Sequence, residues 1–317
     1  MIDVNKSSAV HAAIVVRAAL FILALAFMTF MGFPKYVTAD EIERGRYIFD
    51  LAGCAGCHTD KKSKGAFLGG GRKFETEFGT FYSPNITPDP NSGIGKWGST
   101  DFIRAMREGI SPDGFNYYPS FPYTSYNKIT DDDLKALWAY LQSVPPVAQI
   151  NISHNLTPPF NWRFLISIWK LINFNQTPFT PEQEKTAAWN RGRYIIEALS
   201  HCRECHTPRN IIGGLDITMD YAGTEKNPEG IVVPNITTDR DTGIGKWTKG
   251  DIDMLLTMGM LPNNDFVGGV MAESVTHSTS KMTPDDKSAV IEYLGQIRPI
   301  INPIKRKKSA NSGESWQ

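Results

Sequence analysis

The chain lacks net charge: its 33 lysines and arginines are matched by 33 aspartates and glutamates. No whole-molecule field of the kind that draws a protein to nucleic acid is therefore present. After Phe33 it lacks any apolar run of membrane-spanning length. It also lacks a spare cysteine, because Cys54, Cys57, Cys202 and Cys205 all fall in two pentapeptides and none is left for a structural disulfide. No acid–base catalytic motif is recognisable. What is there is length: 317 residues give room for two domains of ordinary size and a leader.

The two pentapeptides are Cys54-Ala55-Gly56-Cys57-His58 and Cys202-Arg203-Glu204-Cys205-His206. C-x-x-C-H is the c-type haem attachment sequence. Two thiols one helical turn apart add across the vinyl groups of a haem, and the histidine that follows holds the iron from the proximal side. A zinc site uses the same residue types in another framework. A thioredoxin-like redox pair needs a βαβ context that this chain does not offer. The reading is two covalent haem c groups, attached at Cys54, Cys57, Cys202 and Cys205, with His58 and His206 as axial ligands.

Near the N-terminus, Ala12 to Phe33 carries one charge, Arg17, and the uninterrupted apolar run from Ala18 is 16 residues. That exceeds a signal-peptide core of roughly 7–15 residues and falls short of the about 20 of a spanning helix. Val37-Thr38-Ala39 offers a cleavage site, and extension back through Arg17 gives a retained anchor. Residues 1–39 are thus a signal peptide or N-terminal membrane anchor. Either route exports the remainder across a membrane, anchored or peripheral, to the side where covalent haem attachment is expected.

Past the leader the chain repeats itself. Pro84-Asn85-Ile86-Thr87 recurs as Pro234-Asn235-Ile236-Thr237, and Gly93-Ile94-Gly95-Lys96-Trp97 as Gly243-Ile244-Gly245-Lys246-Trp247, both at an offset of 150. Arg44-Gly45-Arg46-Tyr47-Ile48 matches Arg191-Gly192-Arg193-Tyr194-Ile195. A self-match of this period means two copies of one domain, bounded at 40–146 and 190–302, each with one haem motif.

Each copy reads as helical. Asp40 and Glu41 suit the first turn of a helix running towards Cys54. Thr130 caps a helix with Asp133 three residues on and Leu134, Leu137, Trp138 and Leu141 as its stripe. Thr283 caps its twin, with Pro284 first, Asp286 completing a capping box, and Val290, Tyr293, Leu294 and Ile297 apolar. Further helices begin near Asp101, with Phe102, Ile103, Met106 and Ile110, and near Asp251, with Ile252, Leu255 and Leu256. The intervening Gly-, Pro- and Asn-rich stretches read as loops around a flat cofactor. Trp97 and Trp247 would donate to haem propionates or simply pack, and Asn85 and Asn235 carry the same two readings.

Residues 147–189 form a linker whose short amphipathic helix places Phe164, Leu165, Ile168, Trp169 and Ile172 on one face. It straps the domains together, lies on a membrane or receives a partner. Residues 303–317 read as a disordered tail.

Together RGRYI, PNITPDPNSGIGKW, SPDGFNYYPSFPYTSY, the second CHTPRN, PNITTDRDTGIGKW and NDFVGGVMAE resemble the first two domains of the cytochrome c subunit of bacterial membrane-bound alcohol, aldehyde and sugar-acid dehydrogenases. The resemblance covers Asp40 to about Pro303. It implies a mainly α fold of two tandem class I-like cytochrome c domains, each wrapped round one covalent haem. The chain departs from the three-haem version, having no third C-x-x-C-H. Met271 in Val267-Gly268-Gly269-Val270-Met271 matches the family's sulfur ligand to iron, while the ungapped register puts Phe121 at that position in the first copy, and a phenyl ring cannot ligate iron. Met106, Tyr117, Tyr118, Tyr123, His154 and His277 are the other groups weighed for the sixth position of haem 1, which is read as open or replaced.

The expected function is an exported di-haem cytochrome that takes electrons from a periplasmic dehydrogenase and passes them to the respiratory chain, with quinone or a terminal oxidase as acceptor. The reading favours an electron-transfer protein or a subunit of a dehydrogenase complex over an enzyme in its own right, and expects no nucleic-acid partner. The alternative is a peroxidase-like or thiosulfate-oxidising haem enzyme acting at an open haem 1 site.

Overall fold

The computed structural model describes residues 38–304. The apolar N-terminal segment and the tail from Lys305 lie outside the described residues, so the leader and tail expectations carry no structural account.

The first half opens with α1 (Ala39–Leu51), whose Asp40 and Glu41 sit in the first turn where the helix dipole favours acid. The short α2 (Cys54–His58) follows. The stretch after it, expected as loop, instead forms a hairpin of β1 (Lys73–Thr76) and β2 (Gly79–Tyr82). Next come α3 (Ser99–Glu108), α4 (Tyr123–Tyr126) and α5 (Asp131–Ser143). The second half repeats the plan with α7 (Ala187–Tyr194), a π turn (Ile195–Leu199), α8 (Arg203–His206), α9 (Lys249–Met258), α10 (Gly269–His277) and α11 (Pro284–Leu294). Between the halves lie β3 (Asn155–Leu156), which adds to β2, and α6 (Phe164–Asn173).

In each half the first and last helices cross at a glycine. A Cβ on Gly45 would lie 1.9 Å from the carbonyl oxygen of Ala136, and one on Gly192 would lie 2.0 Å from that of Ala289. Only glycine permits so close a crossing, which explains the repeated Arg-Gly-Arg-Tyr-Ile. The neighbouring Ile48, Leu51, Leu134 and Leu137 of the first half, and Ile195, Ile196, Val290 and Leu294 of the second, belong to one continuous buried cluster that spans both halves. The two repeats are therefore packed together and not strung on a hinge.

The caps behave differently from the sequence reading. Thr130 and Thr283 do accept the amides of Asp133 and Asp286, at 3.3 and 3.2 Å. The aspartate side chains do not complete capping boxes. Asp133 takes Arg44 Nε at 2.8 Å and the hydroxyl of Tyr194, from the other half, at 2.6 Å. Asp286 takes Arg191 Nε at 2.8 Å and the hydroxyl of Tyr47 at 2.7 Å. An arginine and a buried phenol outcompete a solvent-exposed helix end, because charge-assisted bonds away from water are the stronger ones.

The linker is a strap. Lys170 of α6 donates to Asn116 Oδ1 at 2.6 Å and reaches the carbonyls closing α3, while Trp169 Nε1 donates to the Ile212 carbonyl at 2.9 Å. Ile166 packs against Phe81 and Tyr118. Most of the apolar stripe of α6 faces outwards: Phe164, Ile168 and Ile172 are exposed, and so is Leu171. The helix turns its Ile166 and Lys170 edge inward because the ammonium satisfies carbonyls at the end of α3. Among the described residues no helix is long and apolar enough to cross a membrane.

Candidate functional site

The two C-x-x-C-H segments each lie at the foot of a first helix. None of the four cysteines is joined in a disulfide. Burial pushes Cys54 and Cys202 up to about 12 and Cys205 to about 11, unlike the low-pKa thiols of catalytic redox pairs. Among the described residues no three His, Cys, Asp or Glu side chains gather as a zinc site requires.

The histidines are set identically. His58 Nδ1 donates to the Pro84 carbonyl and His206 Nδ1 to the Pro234 carbonyl, each at 2.8 Å. A carbonyl can only accept, so the proton is on Nδ1 and Nε2 keeps its lone pair. Burial lowers the pKa of both rings and favours the neutral form. A carbonyl behind an imidazole is the usual outer-shell support of a metal ligand. This gives the repeated Pro-Asn-Ile-Thr a purpose, since its proline supplies the orienting carbonyl. Two thiols, a neutral imidazole with a free Nε2 and an apolar surround fit an iron porphyrin in both halves.

The next residue of that motif has its own work. Asn85 Nδ2 donates to the Val147 carbonyl at 2.6 Å, and its Oδ1 accepts from the Thr87 amide at 2.9 Å. Asn235 likewise holds the Ile300 carbonyl at 2.8 Å and the Thr237 amide at 2.8 Å. These amides latch the chain that leaves each domain, so they are committed to the backbone rather than turned to a cofactor. Trp97 and Trp247 lie partly buried against the core.

The loops that carry the candidate sixth ligands run in parallel up to the register of Met271. Tyr117 N donates to the Gly109 carbonyl and Val267 N to the Gly259 carbonyl, both at 2.8 Å and both at the offset of 150. In that register Phe121 stands where Met271 stands. Met271 is in α10, whereas Phe121 precedes the shorter α4 and meets the rings of Tyr117, Tyr126 and Tyr123 edge-on. Met106 is buried in the core on α3. His154 Nδ1 accepts the Tyr82 amide at 3.2 Å, and its ring packs with Phe81 and Tyr118. His277 Nε2 lies 2.8 Å from Lys61 Nζ. Burial pushes Tyr117 up to about 12 and Tyr123 higher still, which keeps both phenols protonated. The Tyr123 hydroxyl has no hydrogen-bond partner among the described residues.

The halves then cross over. Thr124 and Ser125, in the distal segment of the first half, donate to Glu204 Oε1 in the second attachment motif at 2.5 and 3.0 Å. Burial alone would raise the Glu204 carboxyl, but Arg209 and the Thr124 hydroxyl hold it below the usual range. Reciprocally, Glu273 of α10 accepts from Arg72 at 2.5 Å, and Arg72 also donates to the Gly56 carbonyl in the first motif. Cys57 lies close enough to Cys205 that charge on the first raises the second. The two attachment sites are therefore adjacent. Sequence periodicity carries no signal for such contacts between repeats, and only the repeated tyrosine of Arg-Gly-Arg-Tyr-Ile could have hinted at them.

Comparison with known proteins agrees with this geometry. The family model described as Cytochrome c matches residues 42–145. A protein described as "Diheme cytochrome c-type" from Cereibacter sphaeroides is 41% identical over 82% of this chain and 87% of its own length. The "Fructose dehydrogenase cytochrome subunit" of Gluconobacter japonicus is 37% identical over 83% of this chain and 54% of its own length. The "Alcohol dehydrogenase (quinone), cytochrome c subunit" of Gluconacetobacter polyoxogenes is 33% identical over 87% of this chain and 61% of its own length. The chain thus spans a little over half of these two dehydrogenase subunits and most of the di-haem protein. With two attachment motifs, two pinned histidines and a relative of matching length, the chain belongs to the cytochrome c family, as a di-haem electron-transfer member carrying covalently bound haem c.

Proposed function

We propose that this chain is an exported relay that accepts electrons from a dehydrogenase on the periplasmic side of the membrane and hands them to quinone or a terminal oxidase. Bound haem c supplies a one-electron iron couple whose potential follows its axial ligands. Cys54 and Cys57 hold one haem and Cys202 and Cys205 the other. His58 and His206 orient through Pro84 and Pro234 and present Nε2 to iron. Met271 completes the second site, and at the first the sixth position is open or replaced, with Phe121 in the methionine's place. The observation that carries this reading is the matched pair of histidines, each fixed by a proline carbonyl at 2.8 Å, in halves that share one core.

The dehydrogenase partner is supported by the relatives described as fructose, gluconate and alcohol dehydrogenase cytochrome subunits. The exposed apolar stripe of Phe164, Ile168, Leu171 and Ile172 is a surface on which such a partner can sit.

The test is haem stoichiometry in the denatured protein. Two haems should survive acid-acetone extraction, and one should be lost from Cys57→Ala and likewise from Cys205→Ala. Recovery of a single haem, or of stoichiometric zinc, from the unsubstituted protein would refute the assignment.

A further inference from the structure

The segment entering the second haem motif departs from its twin in two ways. Arg44 to Cys54 is 11 residues and Arg191 to Cys202 is 12. The extra residue is absorbed as the π turn Ile195–Leu199, a distortion that proteins tend to keep at functional positions. In addition, the residue just before each first cysteine is left-handed: Gly53 has φ 62° and His201 has φ 41°. Glycine adopts that conformation freely, whereas histidine does so at a cost that surrounding contacts must offset.

Both irregularities deliver Ser200 and His201 to the same place, the last carbonyls before Gly53 and Cys54. Leu51 O accepts from Ser278 Oγ at 2.6 Å and from Ser200 Oγ at 3.3 Å. Ala52 O accepts from Tyr126 Oη at 3.2 Å and also faces the His201 ring. That ring stands edge-on to Tyr126, centroids 5.5 Å apart. One side chain, bonded through its own backbone to Cys202, thus touches the peptide that leads directly into Cys54.

We propose that His201 is the bridge through which electrons cross between the two haem sites. With haem held at both sites, one electron would pass between the iron on His58 and the iron on His206, the oxidation of one balancing the reduction of the other. The imidazole neither gains nor loses a proton, and no bond is made or broken. The glycine of the twin motif has no side chain to reach Tyr126 or the Ala52 carbonyl, which accounts for a strained histidine at a position where glycine is the unstrained choice.

The proposal rests on the two-haem reading, and the experiment separates them. The full-length di-haem protein is partly reduced by pulse radiolysis, and redistribution of the electron between haems is timed. Each midpoint potential is measured by spectroelectrochemistry and covalent haem is counted per chain. His201→Gly restores the twin's residue and removes the ring. Inter-haem transfer should slow several-fold while both potentials and the haem count stay at their unsubstituted values. An unchanged rate in a doubly loaded His201→Gly protein overturns the bridge, as does a slowing matched by a change in the potential difference. If His201→Gly does not load both haems, His201→Asn decides the matter, since asparagine tolerates the left-handed region: slowed transfer at unchanged potentials supports the bridge, and an unchanged rate overturns it. Fewer than two haems in the unsubstituted protein would instead defeat the two-haem reading.

Discussion

Replacing Phe121 by methionine tests the asymmetry between the two irons. The backbone bonds Tyr117 to Gly109 and Val267 to Gly259, each 2.8 Å, keep the loops in register until just before the substituted position. Phe121 contacts Tyr117, Tyr126 and Tyr123 with centroids at 5.7, 5.7 and 6.3 Å. Each such edge contact contributes about 0.5–1.5 kcal/mol beyond area burial, and a thioether beside the same rings recovers about 0.3–1.5 kcal/mol per contact. Because the two side chains are close in volume, the net cost should stay below about 1.5 kcal/mol, so the variant should fold and load haem. A sulfur delivered to the first iron should convert that haem to low spin, raise its potential and suppress carbon monoxide binding in the reduced state. Electron paramagnetic resonance, spectroelectrochemistry and carbon monoxide titration read these three changes. The reasoning is refuted if haem 1 of the unsubstituted protein is already low spin with a strong-field ligand and refuses carbon monoxide.

Met271→Ala should abolish the methionine-sulfur charge-transfer band and lower the potential of haem 2; survival of the band in the optical spectrum would point to Met106 instead. Tyr47→Phe and Tyr194→Phe each remove a bond to a largely buried aspartate shared between the halves, and each should cost about 1–3 kcal/mol in denaturant unfolding; a loss within error for both would mean these bonds do not hold the halves together. Burial raises the Asp286 carboxyl, but hydrogen bonds from Arg191 and Tyr47 outweigh it and leave the folded pKa below the ordinary value. A depressed folded pKa contributes stability above the unfolded value of about 4 that is lost as pH falls through the folded one. Melting temperatures across a pH series should therefore fall less steeply below that point in Asp286→Asn than in the unsubstituted protein, and equal slopes would contradict the linkage.

The haem count, the repeat and the helices were legible in the sequence because each is written locally: a pentapeptide, a self-match, a 3.6-residue stripe behind a threonine cap. The proline of Pro-Asn-Ile-Thr was visible as a repeat, but its service to the proximal histidine was not, since a carbonyl 26 residues from His58 leaves no mark on composition. Asp133 and Asp286 looked like capping residues because the sequence shows only what stands three positions away. The apolar face of α6 was legible, but whether it would be covered by the domains or left outwards was not, as periodicity identifies an apolar face and not what covers it.

By itself, then, the sequence determined the chemistry: which thiols and imidazoles can take haem, that there are two sets, and that the first half has phenylalanine in the register of Met271. Tertiary structure alone decided how the two sets relate. Gly45 and Gly192 let each helix pair close, and the exchanged Tyr47 and Tyr194 bonds join the halves. The π turn with His201 brings one attachment segment against the other. Those contacts join residues separated by 61 to 239 positions, and pairing at such range is set by how two similar domains bury their surfaces against one another, which no local pattern encodes.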